Sequence, residues 1–137
     1  MAHVALVDSD GIVRDINVIS NSSLPNNGEF SEEVELAAQE LQSRLGLTPD
    51  GSQWYLTSYN SSFRFRYAGL GMLFDQSIGT HGAFLPQKPY PSWIINHQTA
   101  NWEPPIQKPD DQNQYEWAEL RQEWVPTSAQ LLPPVND

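Results

Sequence analysis

Cysteine is absent from the 137 residues, which excludes a disulfide framework and any thiolate metal site. Basic residues are scarce, with 7 lysines and arginines against 17 aspartates and glutamates and a formal net charge of −10. A field of that sign repels phosphate backbones and anionic lipid headgroups, so nucleic acid and membrane surfaces are not expected partners. No apolar run approaches the length of a membrane span, and the polar start Met1-Ala2-His3 lacks signal-peptide character. The expectation is a soluble chain made inside the cell. The Asn21-Ser22-Ser23 and Asn60-Ser61-Ser62 triplets fit the glycosylation pattern but carry no weight without secretion.

What the chain has in excess is proline and tryptophan. Nine of the 11 prolines and four of the five tryptophans follow residue 85. Mean hydropathy is −0.52 and apolar residues make up 39%, below the usual globular share. Disordered tracts are poor in aromatics, so this composition predicts structure rather than a random chain. The acids gather at the two ends. Between residues 51 and 99 only Asp75 opposes Arg64, Arg66 and Lys88.

The hydrophobic period divides the chain. Residues 3–8 and 12–19 are rich in β-branched side chains and flank Ser9-Asp10-Gly11, a pattern that predicts a β-hairpin. Ser31 then stands as a helix N-cap before Glu32 and Glu33, and Val34, Ala37, Ala38, Leu41 and Leu45 recur at helical spacing up to Gly46. One amphipathic helix over 31–45 should cover the neighbouring sheet. The period returns to two at residues 54–59 and 63–67, predicting two strands, the second with Phe63, Phe65 and Tyr67 inward and Arg64 and Arg66 on the solvent face. A further strand is expected at Met72–Asp75, before a turn and Ala83-Phe84-Leu85. Beyond Pro86, Pro89 and Pro91, residues 93–96 with 101–103 and residues 115–117 with 123–125 each predict a small hairpin with a tryptophan on each arm. The predicted fold class is α+β. A small domain over 1–85, with hairpin and helix on an antiparallel sheet, leads to an extended Pro/Trp-rich docking arm over 86–126 and a tail over 127–137.

Catalytic and metal chemistry find little foothold. His3, His81 and His97 are scattered and have no metal-ligand neighbours at a recognised spacing. Asp8-Ser9-Asp10-Gly11 resembles the opening of a calcium loop but lacks its third acid and its closing glutamate, so a turn is expected. Glu103, Asp110, Asp111 and Glu116 could pair for acid–base work, yet nothing near them would raise a pKa. Glu32, Glu33, Glu35 and Glu40 suit a solvated helix face. No nucleophile elbow, phosphate loop or dinucleotide fingerprint occurs. The expectation is a non-enzyme with no cofactor and no metal. The tryptophans fit a local core or a protein interface better than a sugar platform.

The run Thr57-Ser58-Tyr59-Asn60, Phe63-Arg64, Tyr67-Ala68-Gly69-Leu70-Gly71 and Phe74-Asp75 carries a resemblance. It continues through Ala83-Phe84-Leu85-Pro86, Lys88-Pro89-Tyr90-Pro91-Ser92-Trp93, Asn96, Thr99, Trp102-Glu103, Pro105 and Pro109, and closes on Tyr115-Glu116-Trp117 and Glu123-Trp124-Val125. These residues resemble a small protein family of marine and cyanobacterial tailed phages, described as virion structural or uncharacterised. The likeness covers most of residues 1–125 and is most specific from Lys88 to Trp93. Leu45–Ser52 and the chain after Pro126 depart from it. It implies a particle component, made in the host cytoplasm, and brings no catalytic residue.

The expected function is therefore a bacteriophage structural protein, first a capsid decoration (cement) protein docking through its C-terminal arm. A tail, baseplate or fibre-attachment component comes second, and a carbohydrate-binding adsorption module third. The contact candidates are Lys88, Pro89, Tyr90, Pro91, Trp93, Trp102, Tyr115, Trp117 and Trp124. The expected partners are other virion proteins, either the major capsid protein or tail and baseplate proteins, or further copies in a homo-oligomer.

Overall fold

A computed structural model describes residues 1–127 of the chain. It has one α-helix and nine short strands paired in small antiparallel sheets, a mixed α+β fold dominated by β-structure. The described residues divide into two compact units, one of Met1–Gln87 with His97–Asn101 and one of Lys88–Asn96 with the described residues from Trp102 on. The tail expected over 127–137 lies, apart from Thr127, outside the described residues.

The first unit is built on β1 (Ala2–Val7), β2 (Val13–Ile19) and β3 (Gln53–Thr57), ordered β2-β1-β3. The hairpin between β1 and β2 is the expected one. Gly11 takes φ +80°, and the Asp8 carboxylate accepts the backbone N–H of Asp10 and of Ile12 at 2.9 and 3.0 Å. The same carboxylate meets Arg14 Nε at 2.6 Å, which holds its pKa below the usual aspartate value. That aspartate closes a turn.

α1 (Glu32–Arg44) follows from its ends inward. Ser31 Oγ accepts Val34 N–H at 3.1 Å as N-cap, and Glu32, Glu33 and Glu35 fall in the first turn, where the helix dipole favours anions. Gly46 stops the helix at φ +75°, with Leu47 N–H returning to Gln42 C=O and Gly46 N–H to Ser43 C=O, the paired bonds of a Schellman cap. Val34 and Ala38 are fully buried against Val4, Leu6, Trp54 and Leu56 on one sheet face, with Ala37 and Leu41 beside them. Leu45, expected in that stripe, is instead 61% exposed, because the chain turns at Gly46 before it can reach the sheet.

Alternation along β1 sends Ala5 and Val7 to the opposite face. There they pack with Val13, Ala68, Phe74 and Phe84, the last two from β4 (Leu73–Asp75) and β5 (Ala83–Leu85), an antiparallel pair. The sheet is thus covered on both faces.

The strand expected over 63–67 does not form. Ser61, Arg64 and Phe65 adopt φ of 59°, 56° and 70°, left-handed values that no strand accommodates. The Arg64 side chain, expected in solvent, is only 6% exposed. Its guanidinium turns inward and donates to both oxygens of Glu35, to Leu56 C=O at 2.9 Å and, from Nε, to His81 C=O at 2.8 Å. Glu35, expected on a solvated helix face, is correspondingly 16% exposed. Alternating aromatic and charged residues carry the same period whether the charges meet water or a buried partner. Here the partner wins.

Further along the chain, β6 (Ile94–Asn96) lies beside β7 (Asn101–Glu103), and within the second unit β8 (Tyr115–Ala118) pairs with β9 (Glu123–Pro126). These are the two hairpins expected from the sequence. Left-handed φ at Ala100 (56°) and Gln122 (51°) marks their turns.

Candidate docking surface

The second unit has few apolar residues from which to make a core, and it uses its tryptophans. Trp117 and Trp124 face each other in the β8–β9 register with ring centres 5.2 Å apart. Trp93 lies 6.1 Å from Trp117 and 6.2 Å from Trp124, and Tyr90 is 5.6 Å from Trp93. The Trp117–Trp124, Trp93–Trp117 and Trp93–Trp124 pairs are edge-to-face, the geometry that the ring quadrupole favours. Trp117 is 7% exposed. Four of the nine contact candidates are thereby gathered into a local aromatic core.

Glu119 locks this cluster. One oxygen accepts Ser92 Oγ at 2.6 Å and Trp117 Nε1 at 2.8 Å, and the other accepts Ser92 N–H at 3.0 Å. The Ser92 and Trp117 bonds, with Lys88 nearby, hold the Glu119 carboxyl below its usual pKa. The Lys88–Trp93 block is thus tied to the β8–β9 turn by one carboxylate. Nothing in the sequence singles out Glu119, since a glutamate in a hairpin turn looks like any solvated charge.

The remaining candidates lie elsewhere in the unit. Lys88 Nζ sits 5.4 Å from the centre of the Trp102 ring, within cation–π reach. Tyr115 Oη donates to Asp111 Oδ2 at 2.6 Å, a bond that raises the Tyr115 pKa and lowers that of Asp111. A lowered carboxyl is the wrong direction for a general acid. Pro89 and Pro91 are exposed.

Of the candidates, Tyr90 is 37% exposed, but the large aliphatic side chains that this unit leaves in solvent were not among them. Ile94 is 62% exposed, Ile106 is 52% exposed, and Leu120 at the tip of the β8–β9 turn is fully exposed. The signal was present for Leu120, because an aliphatic residue at the centre of a charged hairpin turn has no core to serve.

The histidines have local aromatic roles or none. His3, in β1, stacks on Tyr59 at 5.4 Å and meets Tyr67 edge-on at 5.6 Å. His81 meets Phe30 at 4.9 Å, and His97 is exposed in a turn. Among the described residues no three His, Asp or Glu side chains converge as a metal site, and no helix is long and apolar enough to cross a membrane.

Comparison with protein-family models, with curated proteins and with solved structures gave no match.

Proposed function

We propose that the protein is a non-enzymatic structural component of a tailed-phage particle, docking through an arm over residues 86–126. One observation carries the reading. The second unit spends three of its four tryptophans on holding itself together and leaves Ile94, Ile106 and Leu120 in solvent. Exposed aliphatic side chains on a small, internally braced unit are what an interface with another protein uses. The resemblance of the Lys88–Trp93 block to phage virion proteins supplies the setting, and the acidic charge suits a partner with a basic surface.

Within that reading a capsid decoration role comes first, because short hairpins strung between proline spacers contact much surface with little core. Copy number tests it. Quantitative mass spectrometry of purified particles should give a count matching the head lattice, whereas a small multiple of tail symmetry places the protein at the tail or baseplate instead. Absence from particles removes the reading altogether.

A further inference from the structure

Glu103, Pro104, Pro105, Gln107, Lys108 and Trp124 line an open groove of about 620 Å³ in the second unit. That volume falls within the range of about 300–1,000 Å³ typical of small-ligand sites. The Trp124 indole is held in place there, since its Nε1 donates to Ile106 C=O at 2.8 Å. With its one donor spent, the ring offers the groove only an apolar surface. Pro104 and Pro105 form a wall with fixed φ, so little conformational freedom remains to be lost on binding.

The polar groups of the groove remain largely uncommitted. Glu103 Oε2 accepts from Asn96 Nδ2 at 3.1 Å, which orients the carboxylate without saturating it. Gln107 and Lys108 have no hydrogen-bond or ion-pair partner among the described residues. One anion and one cation leave the groove without net charge. Together the three side chains offer carboxylate acceptors, an amide that both donates and accepts, and an ammonium donor.

We infer that this groove is a subsite for a neutral saccharide. A pyranose matches each element. Its C–H face is apolar enough to lie on an indole, while vicinal hydroxyls, each donor and acceptor, suit planar carboxylate and amide groups. A charged ligand would leave either Glu103 or Lys108 opposed to it. A proline-rich peptide would find one aromatic wall where that mode of recognition uses an aromatic-lined groove, and it has few N–H donors for the Glu103 carboxylate. The inference stands apart from the particle reading, since a saccharide subsite needs no virion.

The test uses the full chain on an array of neutral hexose and N-acetylhexosamine oligosaccharides, followed by titration of the best probe monitored by tryptophan fluorescence. Saturable binding is expected, weakened about tenfold or more by Gln107→Ala and by Lys108→Ala, a loss of about 1.4 kcal/mol for tenfold. Both residues are exposed, so folding should be unaffected by either change. Trp124→Phe keeps an aromatic ring in the cluster and should weaken binding while circular dichroism stays unchanged. A blank array overturns the inference. So does glycan binding that survives Gln107→Ala and Lys108→Ala, or a proline-rich peptide that binds in the groove where every glycan fails.

Discussion

The carboxylate of Glu35, in the first turn of α1, and the guanidinium of Arg64, 29 residues later, form a buried pair that closes the free edge of β3. Glu35 Oε2 accepts Leu56 N–H at 2.8 Å, and Arg64 Nη1 donates to Leu56 C=O at 2.9 Å. Two residues along the same strand, Trp54 C=O accepts from Gln39 Nε2 at 2.8 Å and Trp54 N–H donates to Gln53 Oε1 at 2.8 Å. Side chains thus occupy the backbone groups to which another strand would bind. An open edge is a template for aggregation, and this one is capped. On the other side of the sheet, Asp15 and Asn17 accept the N–H groups of Ile16 and Val18 on β2.

Removing one partner of that pair leaves the other charge buried and also uncaps the strand. Arg64→Ala and Glu35→Ala are each expected to cost about 3–5 kcal/mol in chemical denaturation. The double variant should cost less than the sum of the two, because no charge is stranded in it. The cation–π contacts of Arg64 Cζ with Phe30 and Phe74, at 5.1 and 5.2 Å, would be lost in Arg64→Ala and kept in Glu35→Ala. Additive losses would mean that the pair contributes no coupling.

The same pair marks how far the sequence could be read. Hairpin, helix with both caps, and the two C-terminal hairpins each announce themselves through local chemistry: Gly11, Ser31, Gly46 and the Trp-bearing alternations. Arg64 does not. Its inward turn depends on a carboxylate 29 residues away and on left-handed backbone at two non-glycine residues, neither of which any local period records. Glu119 was hidden for the same reason, since its three donors come from Ser92 and Trp117. Composition placed all nine contact candidates in the Pro/Trp-rich segment. It could not separate the tryptophans that hold the unit together from the aliphatic residues left in solvent.

Gln42 offers an opposite prediction. It is 2% exposed on the buried side of α1, and its Nε2 has no hydrogen-bond partner among the described residues. A buried amide donor without a partner costs about 1–3 kcal/mol. Gln42→Met keeps length and volume while removing that donor, so the midpoint of thermal unfolding should rise. A fall would mean that the amide is satisfied in solution, for instance by water.

Glu119 makes the second unit sensitive to acid. Its carboxyl is held below the ordinary glutamate value of 4.5 by the bonds from Ser92 and Trp117. A depressed folded-state pKa contributes stability above the unfolded value, and that stability is lost as pH falls through the folded one. Tryptophan fluorescence, which four of the five tryptophans report from this unit, should therefore show a transition below pH 4.5. In Glu119→Gln this component should vanish, because the amide does not titrate. An unchanged transition would assign it to other carboxylates.

Leu120 separates docking from folding. It is fully exposed at the tip of the β8–β9 turn, so Leu120→Asp removes no internal contact and should shift stability by no more than about 0.5 kcal/mol. If the tip inserts into a partner's apolar socket, the same change costs an interface anchor, about 2 kcal/mol or roughly thirtyfold in affinity. Incorporation of the variant into particles, measured against wild type in one competition, should then fall sharply while its circular dichroism stays the same. Trp117→Ala provides the contrast. It opens the aromatic core and should lose both fold and incorporation, since Trp117 touches Trp93 and Trp124 and is 7% exposed. A Leu120→Asp protein that competes equally with wild type would remove the tip as the anchor and shift attention to Ile94 and Ile106, the other aliphatic side chains this unit leaves in solvent.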